Sequence, residues 1–392
     1  MAERRGGPAL AIAVSSLGVA AAALLGTAIA AAAVARMVVT PARRRRQDVQ
    51  ILRVADDHST ITLASSPDTR MPGRVGLFFS GDTGYLRLGD IVADDGTGVT
   101  RTIESVDYGE IRQATRGRLN GWWYLRPEEL GLPVETVDIP TAPGLAPAWL
   151  FSASRGGKRW AIHVHGRGAR RQECLRGIPV FRRAGYTNLV VSYRNDGDAP
   201  PSADGRYGLG STEWEDVDAA IGFAVEHGAT SIVLMGWSMG GAIVLQTVAR
   251  TAHVAMIRGV ALDSPVVDWV PTLEFQADQM RLPGAVTRGA MRVIDAPWAT
   301  RVTGQAAPLG LAALDFVARA DELTIPILLM HSDDDGYVPP TASRRLAERR
   351  PDIVTFVPFS VARHTKLWNY DEKRWTKAIA DWLRALNAAE RG

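Results

Sequence analysis

The sequence has 392 residues, of which 22% are charged and 46% are hydrophobic. This composition excludes a mostly disordered chain, a fibrous repeat and a protein with many membrane spans, and the length suits one large domain with an additional segment. The single cysteine, Cys174, excludes an intrachain disulfide framework and a zinc site built from cysteines. Residues 1–46 hold seven arginines and one acid, whereas the rest of the chain has 38 basic and 41 acidic residues. The positive charge is therefore local, which favours a segment that flanks a membrane over a nucleic-acid-binding surface.

The N-terminal segment contains an uncharged run from Gly6 to Ala35. About 28 residues of helix reach roughly 42 Å, enough to cross the hydrocarbon core with some tilt. We expect a retained single-pass anchor over residues 1–46. A cleaved secretory signal, with Ala33-Val34-Ala35 as its cleavage site, and a soluble core helix are the alternatives. Five arginines follow the run and two precede it, so the positive-inside tendency predicts a cytoplasmic catalytic domain, with export as the alternative.

Residues 47–130 are rich in short segments typical of strands. Five such segments lie between glycine and aspartate turns, namely 49–54, 60–63, 75–79, 85–88 and 100–106. They predict a small β-rich module, for which a structural cap or spacer is a better interpretation than a binding site. Trp122-Trp123-Tyr124 is expected to pack at the boundary with the next domain, with an aromatic substrate shelf as the minor alternative.

Residues 131–392 show a different pattern. Two strand-like segments flank the turn at Pro143-Gly144, and six apolar segments then alternate with helical stretches: 160–164, 188–193, 231–236, 259–262, 325–330 and 354–359. Such alternation predicts parallel strands joined by helical crossovers. The long interval over about 268–320 predicts a cap inserted above the sheet edge.

The strongest chemical motif is Gly236-Trp237-Ser238-Met239-Gly240-Gly241. It follows a predicted strand and precedes a predicted helix, which is the context of a G-x-S-x-G nucleophile elbow. A serine needs a base, and the base needs an orienting acid. In the chain order Ser, acid, His, the three consecutive acids 333–335 follow the strand that ends at Met330, and His364 follows the next strand. Ser238 and His364 are therefore the predicted nucleophile and base.

These motifs resemble the α/β-hydrolase fold superfamily over residues of about 134–388. With the N-terminal run, the arginine-rich flank and the β-rich module, the chain is similar to uncharacterised actinobacterial membrane-anchored α/β hydrolases. The pattern His331-x-x-x-Asp335-x-x-Val338-Pro339 of the acid loop implies that Asp335 is the triad acid. Ser332 stands where the superfamily usually has glycine, and Asp263 is a second candidate acid because some members place it there.

The resemblance also implies an oxyanion hole. The segment His165-Gly166-Arg167 is similar to the H-G-x loop of these hydrolases, in which the residue after His-Gly donates its backbone N–H. Arg167 and Met239 are the predicted donors, and His165 is expected to be structural.

The function predicted from these residues is a membrane-anchored serine hydrolase that cleaves an ester through an acyl-enzyme, with lipid esters and thioesters as candidate substrates. The alternatives are a serine peptidase, an acyltransferase with the same triad, and a non-catalytic membrane-anchored interaction protein on a hydrolase frame. No phosphate-binding glycine loop, zinc spacing or calcium loop occurs in the sequence, so neither a cofactor nor a metal is expected.

Overall fold

The computed structural model describes residues 8–42, 44–154 and 157–389, with side chains from Ala23 to Ala388. The N-terminal helix α1 spans Pro8–Val39. Its C-terminal part packs on the cap through Ala31, Ala35 and Val39, which are spaced four residues apart on one helix face and are buried. Within the described part of the chain, no helix combines the length and the apolar character needed to cross a membrane. The predicted anchor begins at Gly6, and residues 1–7 lie outside the described residues.

The β-rich module is a closed antiparallel barrel in the strand order β1-β2-β5-β4-β3-β6. Its strands are β1 (Val49–Val54), β2 (Thr60–Ala64), β3 (Val75–Phe79), β4 (Gly84–Asp94), β5 (Gly98–Tyr108) and β6 (Arg116–Asn120). Side chains alternate along the strands, so that Ile61 and Leu63 of β2 point into the barrel core. Closure removes the free sheet edges that would otherwise invite pairing with other chains.

Strand β6 is absent from the sequence prediction because its residues RGRLN lack an apolar run. It closes the barrel by pairing with both β1 and β3. At Gly117 a Cβ atom would lie 2.7 Å from the carbonyl oxygen of Phe78, so the close approach of these strands requires glycine.

The hydrolase domain is built on an eight-stranded sheet in the order β14-β13-β12-β11-β9-β10-β8-β7. The strands are β7 (Glu135–Thr141), β8 (Gly144–Phe151), β9 (Arg159–Val164), β10 (Thr187–Val191), β11 (Ser231–Trp237), β12 (Ile257–Asp263), β13 (Ile327–Ser332) and β14 (Val354–Phe359). Strands β7 and β8 form an antiparallel hairpin and β8 joins β10 antiparallel, whereas β9 to β14 are mutually parallel. The predicted mostly parallel α/β-hydrolase sheet is confirmed.

Helices cover both faces of this sheet, which explains why its parallel strands are almost wholly apolar. They are α2 (Ile178–Arg183), α3 (Trp214–Glu226), α4 (Met239–Arg250), α8 (Thr341–Arg349), α9 (Leu367–Tyr370) and α10 (Glu372–Ala389). Along β9, Ile162 and Val164 join the core on one face and Ala161 joins the core on the other. Between β12 and β13 the chain forms helices α5 (Trp269–Gln279), α6 (Gly284–Asp295) and α7 (Thr300–Thr303), which occupy the region predicted to be the cap.

One buried histidine links this core to the pH dependence of stability. His163 on β9 is fully buried between Phe181 and Trp237, with its Nε2 2.9 Å from Oδ1 of Asn188. Burial lowers the pKa of His163 from 6.5 to about 4, although the hydrogen bond with Asn188 opposes this. Between these two pH values the unfolded chain binds a proton that the folded chain rejects, so stability falls as the pH decreases through this window.

We predict that this histidine lowers the free energy of unfolding by about 2 kcal/mol between pH 7 and pH 5. Urea unfolding at both pH values measures the loss, and His163→Gln provides the comparison because glutamine is polar but does not titrate. The wild type should lose about 2 kcal/mol more than the variant over this pH step. Equal losses in the two proteins would contradict the prediction.

Candidate active site

Ser238 lies in the sharp turn between strand β11 and helix α4. Its backbone adopts φ 52° and ψ −118°, a conformation that is costly for a residue other than glycine. The neighbouring glycines make the turn possible: a Cβ atom on Gly236 would lie 2.5 Å from the carbonyl oxygen of Gly240, and one on Gly240 would lie 2.2 Å from that of Val164. The sequence GWSMGG therefore forms the strand–turn–helix geometry of a nucleophile elbow.

The three predicted triad residues are joined by hydrogen bonds. Nε2 of His364 lies 2.9 Å from Oγ of Ser238, and Nδ1 of His364 lies 2.7 Å from Oδ2 of Asp335. These three residues come from the ends of β11, β14 and β13, which meet at the carboxyl edge of the sheet. The imidazole can take the serine proton on one nitrogen while the carboxylate orients the other nitrogen.

Asp335 is held in its charged form. Burial alone would raise its pKa, but the charge of His364 and the hydrogen bonds to His331 and His364 bring the pKa well below its ordinary value. Its Oδ1 accepts the backbone N–H groups of Tyr337 at 2.8 Å and Val338 at 2.9 Å. Oδ2 also lies 3.2 Å from Nε2 of His331. The carboxylate is thus fixed on both oxygens and remains an anion beside the base.

The other candidate acids have different partners. The side chain of Asp333 pairs with Arg344 at an exposed position. Asp334 accepts the backbone N–H of Arg363 at 3.0 Å and thereby supports the His364 loop without touching the imidazole. Asp263 accepts Nε1–H of Trp375 at 2.9 Å, and burial raises the pKa of this carboxyl group. Of the four, Asp335 is the one in hydrogen-bond contact with His364.

The predicted oxyanion loop lies directly beside the nucleophile. A Cβ atom on Gly166 would lie 3.0 Å from Cβ of Ser238, so a side chain at this position would crowd the serine. In the described part of the chain, neither Arg167 nor Met239 donates its backbone N–H to a protein acceptor. Two free donors at this place suit a tetrahedral oxyanion.

Sequence reasoning missed Glu173, which fixes this loop. The carboxylate of Glu173 is buried and accepts the N–H of Gly166 at 2.7 Å. The preceding residue, His165, is also buried, with its Nε2 3.1 Å from Asp196 and its ring stacked on Tyr193. No motif marks Glu173 in the sequence, because its role depends on the folding of a 3₁₀ segment back onto the loop.

An open cleft of about 2410 Å³ extends outward from Ser238 and His364. Its walls come from loops of the hydrolase domain, the cap, the barrel and the C-terminal end of α1 with the residues that follow it. The barrel therefore lies beside the predicted reaction centre, a position that its sequence did not indicate. In residues 8–42, 44–154 and 157–389, no cluster of three or more His, Cys, Asp or Glu side chains could hold a metal ion.

Comparison with known families agrees with this geometry. The model of the alpha/beta hydrolase family matches residues 161–379, which is more than half of the chain. The chain belongs to the alpha/beta hydrolase family. In this hydrolase the barrel strands coincide with a second match, residues 50–120, to a domain of unknown function (DUF8805). No curated protein matches the chain.

Among solved structures, the hydrolase is similar to the esterase Pf2001 of Pyrococcus furiosus. The TM-score is 0.52 at 16% identity, and the match covers 67% of this chain and 94% of that one. Est1E of Butyrivibrio proteoclasticus with bound ferulic acid matches with a TM-score of 0.49 at 15% identity, covering 64% of this chain and 99% of that one. The likeness to Pf2001, at this level of identity, establishes the fold alone.

The choice among the three acids of the acid loop is directly testable. We predict that Asp335→Asn lowers kcat by about 10³ to 10⁴, because the base loses the carboxylate that orients it. The matched control is Asp333→Asn, two residues away, whose carboxylate pairs with Arg344 on the surface and should leave kcat within about twofold of the wild type. Steady-state kinetics on p-nitrophenyl acetate measure both. A large loss in the control with little loss in Asp335→Asn would reverse the assignment.

Proposed function

We propose that this protein is a serine hydrolase that cleaves a carboxylic ester through an acyl-enzyme. The observation that carries the proposal is the chain of hydrogen bonds from Ser238 through His364 to the buried Asp335 carboxylate. A strained serine, an oriented imidazole and a charged buried carboxylate in contact are costly for stability, and such arrangements concentrate at catalytic sites.

In the proposed reaction, Oγ of Ser238 attacks the ester carbonyl while its proton moves to Nε2 of His364. The negative charge on the carbonyl oxygen is stabilised by the N–H groups of Arg167 and Met239. The imidazolium, held by Asp335, then gives its proton to the leaving alcohol as the C–O bond breaks. Water attacks the acyl-enzyme with the help of His364, which releases the acid and restores the serine.

An ester is the preferred substrate class within this chemistry. The structurally similar Pf2001 is an esterase by name and supports the choice through its shared fold. The cleft volume of about 2410 Å³ has room for a substrate larger than a simple acetate, with lipid esters and thioesters as candidates. Peptide hydrolysis and acyl transfer use the same residues and differ in the leaving group or the acceptor.

The test is fluorophosphonate labelling of the full chain together with turnover of p-nitrophenyl esters of increasing acyl length. We expect the wild type to be labelled at Ser238 and to turn over the esters, and Ser238→Ala to lose the label and at least about 10³-fold of the rate. Heat-unfolded wild type is the control for non-specific labelling. Absence of labelling in folded wild type would overturn the proposal in favour of an interaction protein.

We further propose that the N-terminal segment holds the hydrolase at a membrane, with the catalytic domain in the cytoplasm. The uncharged run Gly6–Ala35 and the arginines that follow it support this topology. The part of α1 from Ala31 onward packs on the cap, and residues 8–30 precede it with about 34 Å of helix, a length that suits the hydrocarbon core of a bilayer. Leu24 and Leu25, at the C-terminal end of that stretch, are exposed.

Introducing two arginines into this stretch by substitution should release the protein from membranes. Replacing Leu24 and Leu25 together with arginine makes insertion less favourable by at most about 6 to 8 kcal/mol, the cost of two such changes at the centre of a span. Alkaline carbonate extraction should leave the wild type in the membrane pellet and release the double variant. Val92→Arg, an exposed apolar site on the barrel, is the control and should stay with the wild type. Release of the wild type by carbonate would contradict the anchor.

A further inference from the structure

The loop that carries His364 is held in an unfavourable backbone conformation. Arg363 and Thr365, on either side of the histidine, both have positive φ values, 55° and 50°. Non-glycine residues enter this region at a cost and stay there when the surroundings fix them. The position of the imidazole therefore depends on the contacts that hold this loop.

Contacts from the hydrolase domain hold the backbone of the loop. Oγ of Ser332 accepts the N–H of Ala362 at 2.9 Å, and Oγ of Ser264 accepts the N–H of Thr365 at 3.1 Å. The guanidinium of Arg176 donates to the carbonyl of Thr365 at 2.9 Å. Two cationic side chains, Arg363 and Lys366, flank His364, and the hydrolase domain supplies one carboxylate partner, Asp334, which lies 3.7 Å from Arg363.

The barrel supplies a further carboxylate to these two cations. Asp68, in the connection between β2 and β3, lies 2.9 Å from Nζ of Lys366 and 3.2 Å from a terminal nitrogen of Arg363. One carboxylate thus bridges the residue before the predicted base and the residue two positions after it. Burial would raise the pKa of Asp68, but the charges of Lys366 and Arg363 and their hydrogen bonds lower it to about 2, so the group is ionised at neutral pH.

The connection that carries Asp68 is rigidly held. Thr69 is fully buried, and its hydroxyl accepts the N–H of Ser66 at 2.8 Å. The buried guanidinium of Arg101 donates to the carbonyls of Thr69 at 3.2 Å and Met71 at 2.8 Å. The barrel core therefore fixes the backbone on which Asp68 sits, and the carboxylate is presented to the His364 loop in a defined place.

Docking of the barrel has a second anchor that does not involve Asp68. Arg74 donates its backbone N–H to the carbonyl of Asn369 at 3.1 Å, and its side chain pairs with Glu372 and lies over the rings of Trp123 and Trp368. A change at Asp68 should consequently leave the barrel in place and act on the His364 loop.

We propose that Asp68 is a positioning residue for the triad, and that the barrel serves this hydrolase by clamping the loop of its base. The proposal rests on the proposed function, since it concerns the same serine, base and acid. It predicts that loss of the carboxylate slows turnover at each intact site and alters the protonation of His364.

The groups around His364 give the direction of the pH effect. Asp335 and the Tyr337 ring contact the imidazole, and His331 on β13 contacts Asp335. Arg363 pairs with Asp334 and shares Asp68 with Lys366, and the guanidinium of Arg176 donates to the carbonyl of Thr365. Removing the charge of Asp68 leaves two cations near the imidazole, which disfavours its protonated form. The acidic limb of the kcat/KM profile should move to lower pH, and kcat should fall because the imidazolium formed during the reaction is less stable.

The experiment compares Asp68→Asn, Asp68→Glu and wild type with p-nitrophenyl acetate, each rate being divided by the number of sites titrated with a fluorophosphonate. We expect Asp68→Asn to lose about tenfold in kcat with KM within about twofold, and Asp68→Glu to recover most of the loss. Asp94→Asn is the matched control, because it breaks the exposed pair of Asp94 with Arg70, which lies on the same connection as Asp68 but bonds to Asp94 and Gly96 instead of the His364 loop. It should match the wild type in kcat and pH profile.

A second measurement is independent of turnover. Amide hydrogen exchange over residues 361–366 should be faster in Asp68→Asn than in wild type and unchanged in Asp94→Asn. An unaltered rate per titrated site, with an unaltered pH profile, would overturn the proposal even if Asp68→Asn unfolds at a lower temperature. If the wild type has no Ser238-dependent activity, the proposed function fails. Hydrogen exchange then tests the Asp68 proposal by itself: equal exchange rates of residues 361–366 in Asp68→Asn and wild type would overturn it.

Discussion

The 2.9 Å contact between His364 and Ser238 is the interaction on which the rest of the site depends. It joins two backbone segments that are each strained: a serine with positive φ at the tip of β11, and a histidine between two residues with positive φ after β14. Neither segment would adopt its conformation alone at negligible cost. Close packing at glycines stabilises the turn at Ser238. Hydrogen bonds from three different elements stabilise the loop at His364, and together these contacts hold the two side chains within hydrogen-bond distance.

The sheet explains why residues 126 positions apart meet. Parallel strands place their carboxyl ends along one edge, so residues that directly follow β11, β13 and β14 are neighbours whatever their separation in sequence. That is why strand-like segments and local motifs were enough to predict a serine, an acid loop and a histidine that lie together in the structure. The same reasoning found the cap interval and the β-rich module, because both interrupt or precede the alternation of strands and helices.

Other parts of the site depend on contacts that leave no local pattern. Glu173 looks like an ordinary acid in the sequence, yet it fixes the amide of Gly166 beside the nucleophile. Strand β6 lacks an apolar run, and its identity as a strand comes from pairing on both sides. For Arg167, sequence reasoning addressed the backbone N–H, whereas its side chain also donates to the carbonyls of Met37 at 3.2 Å and Val38 at 2.5 Å at the end of α1. The final turns of α1 are thereby part of the cleft wall, beyond the predicted role of the segment as an anchor.

The position of the barrel beside the predicted reaction centre brings a carboxylate close to the cations of the His364 loop. Around the loop of the base, the carboxylates of Asp68, Asp334 and Asp335 face the cations of Arg363 and Lys366. In the proposed reaction, Asp68 offsets part of the positive charge that is present when His364 takes the serine proton. Without Asp68 the same step would create an excess positive charge in a partly buried place, where such charges interact strongly. The hydrolase domain supplies two of the three carboxylates, and the third comes from a separately folded barrel whose connection between β2 and β3 is fixed by the buried Arg101. Under the proposal for Asp68, the barrel belongs to the catalytic framework, whereas the sequence alone favours a structural cap or spacer.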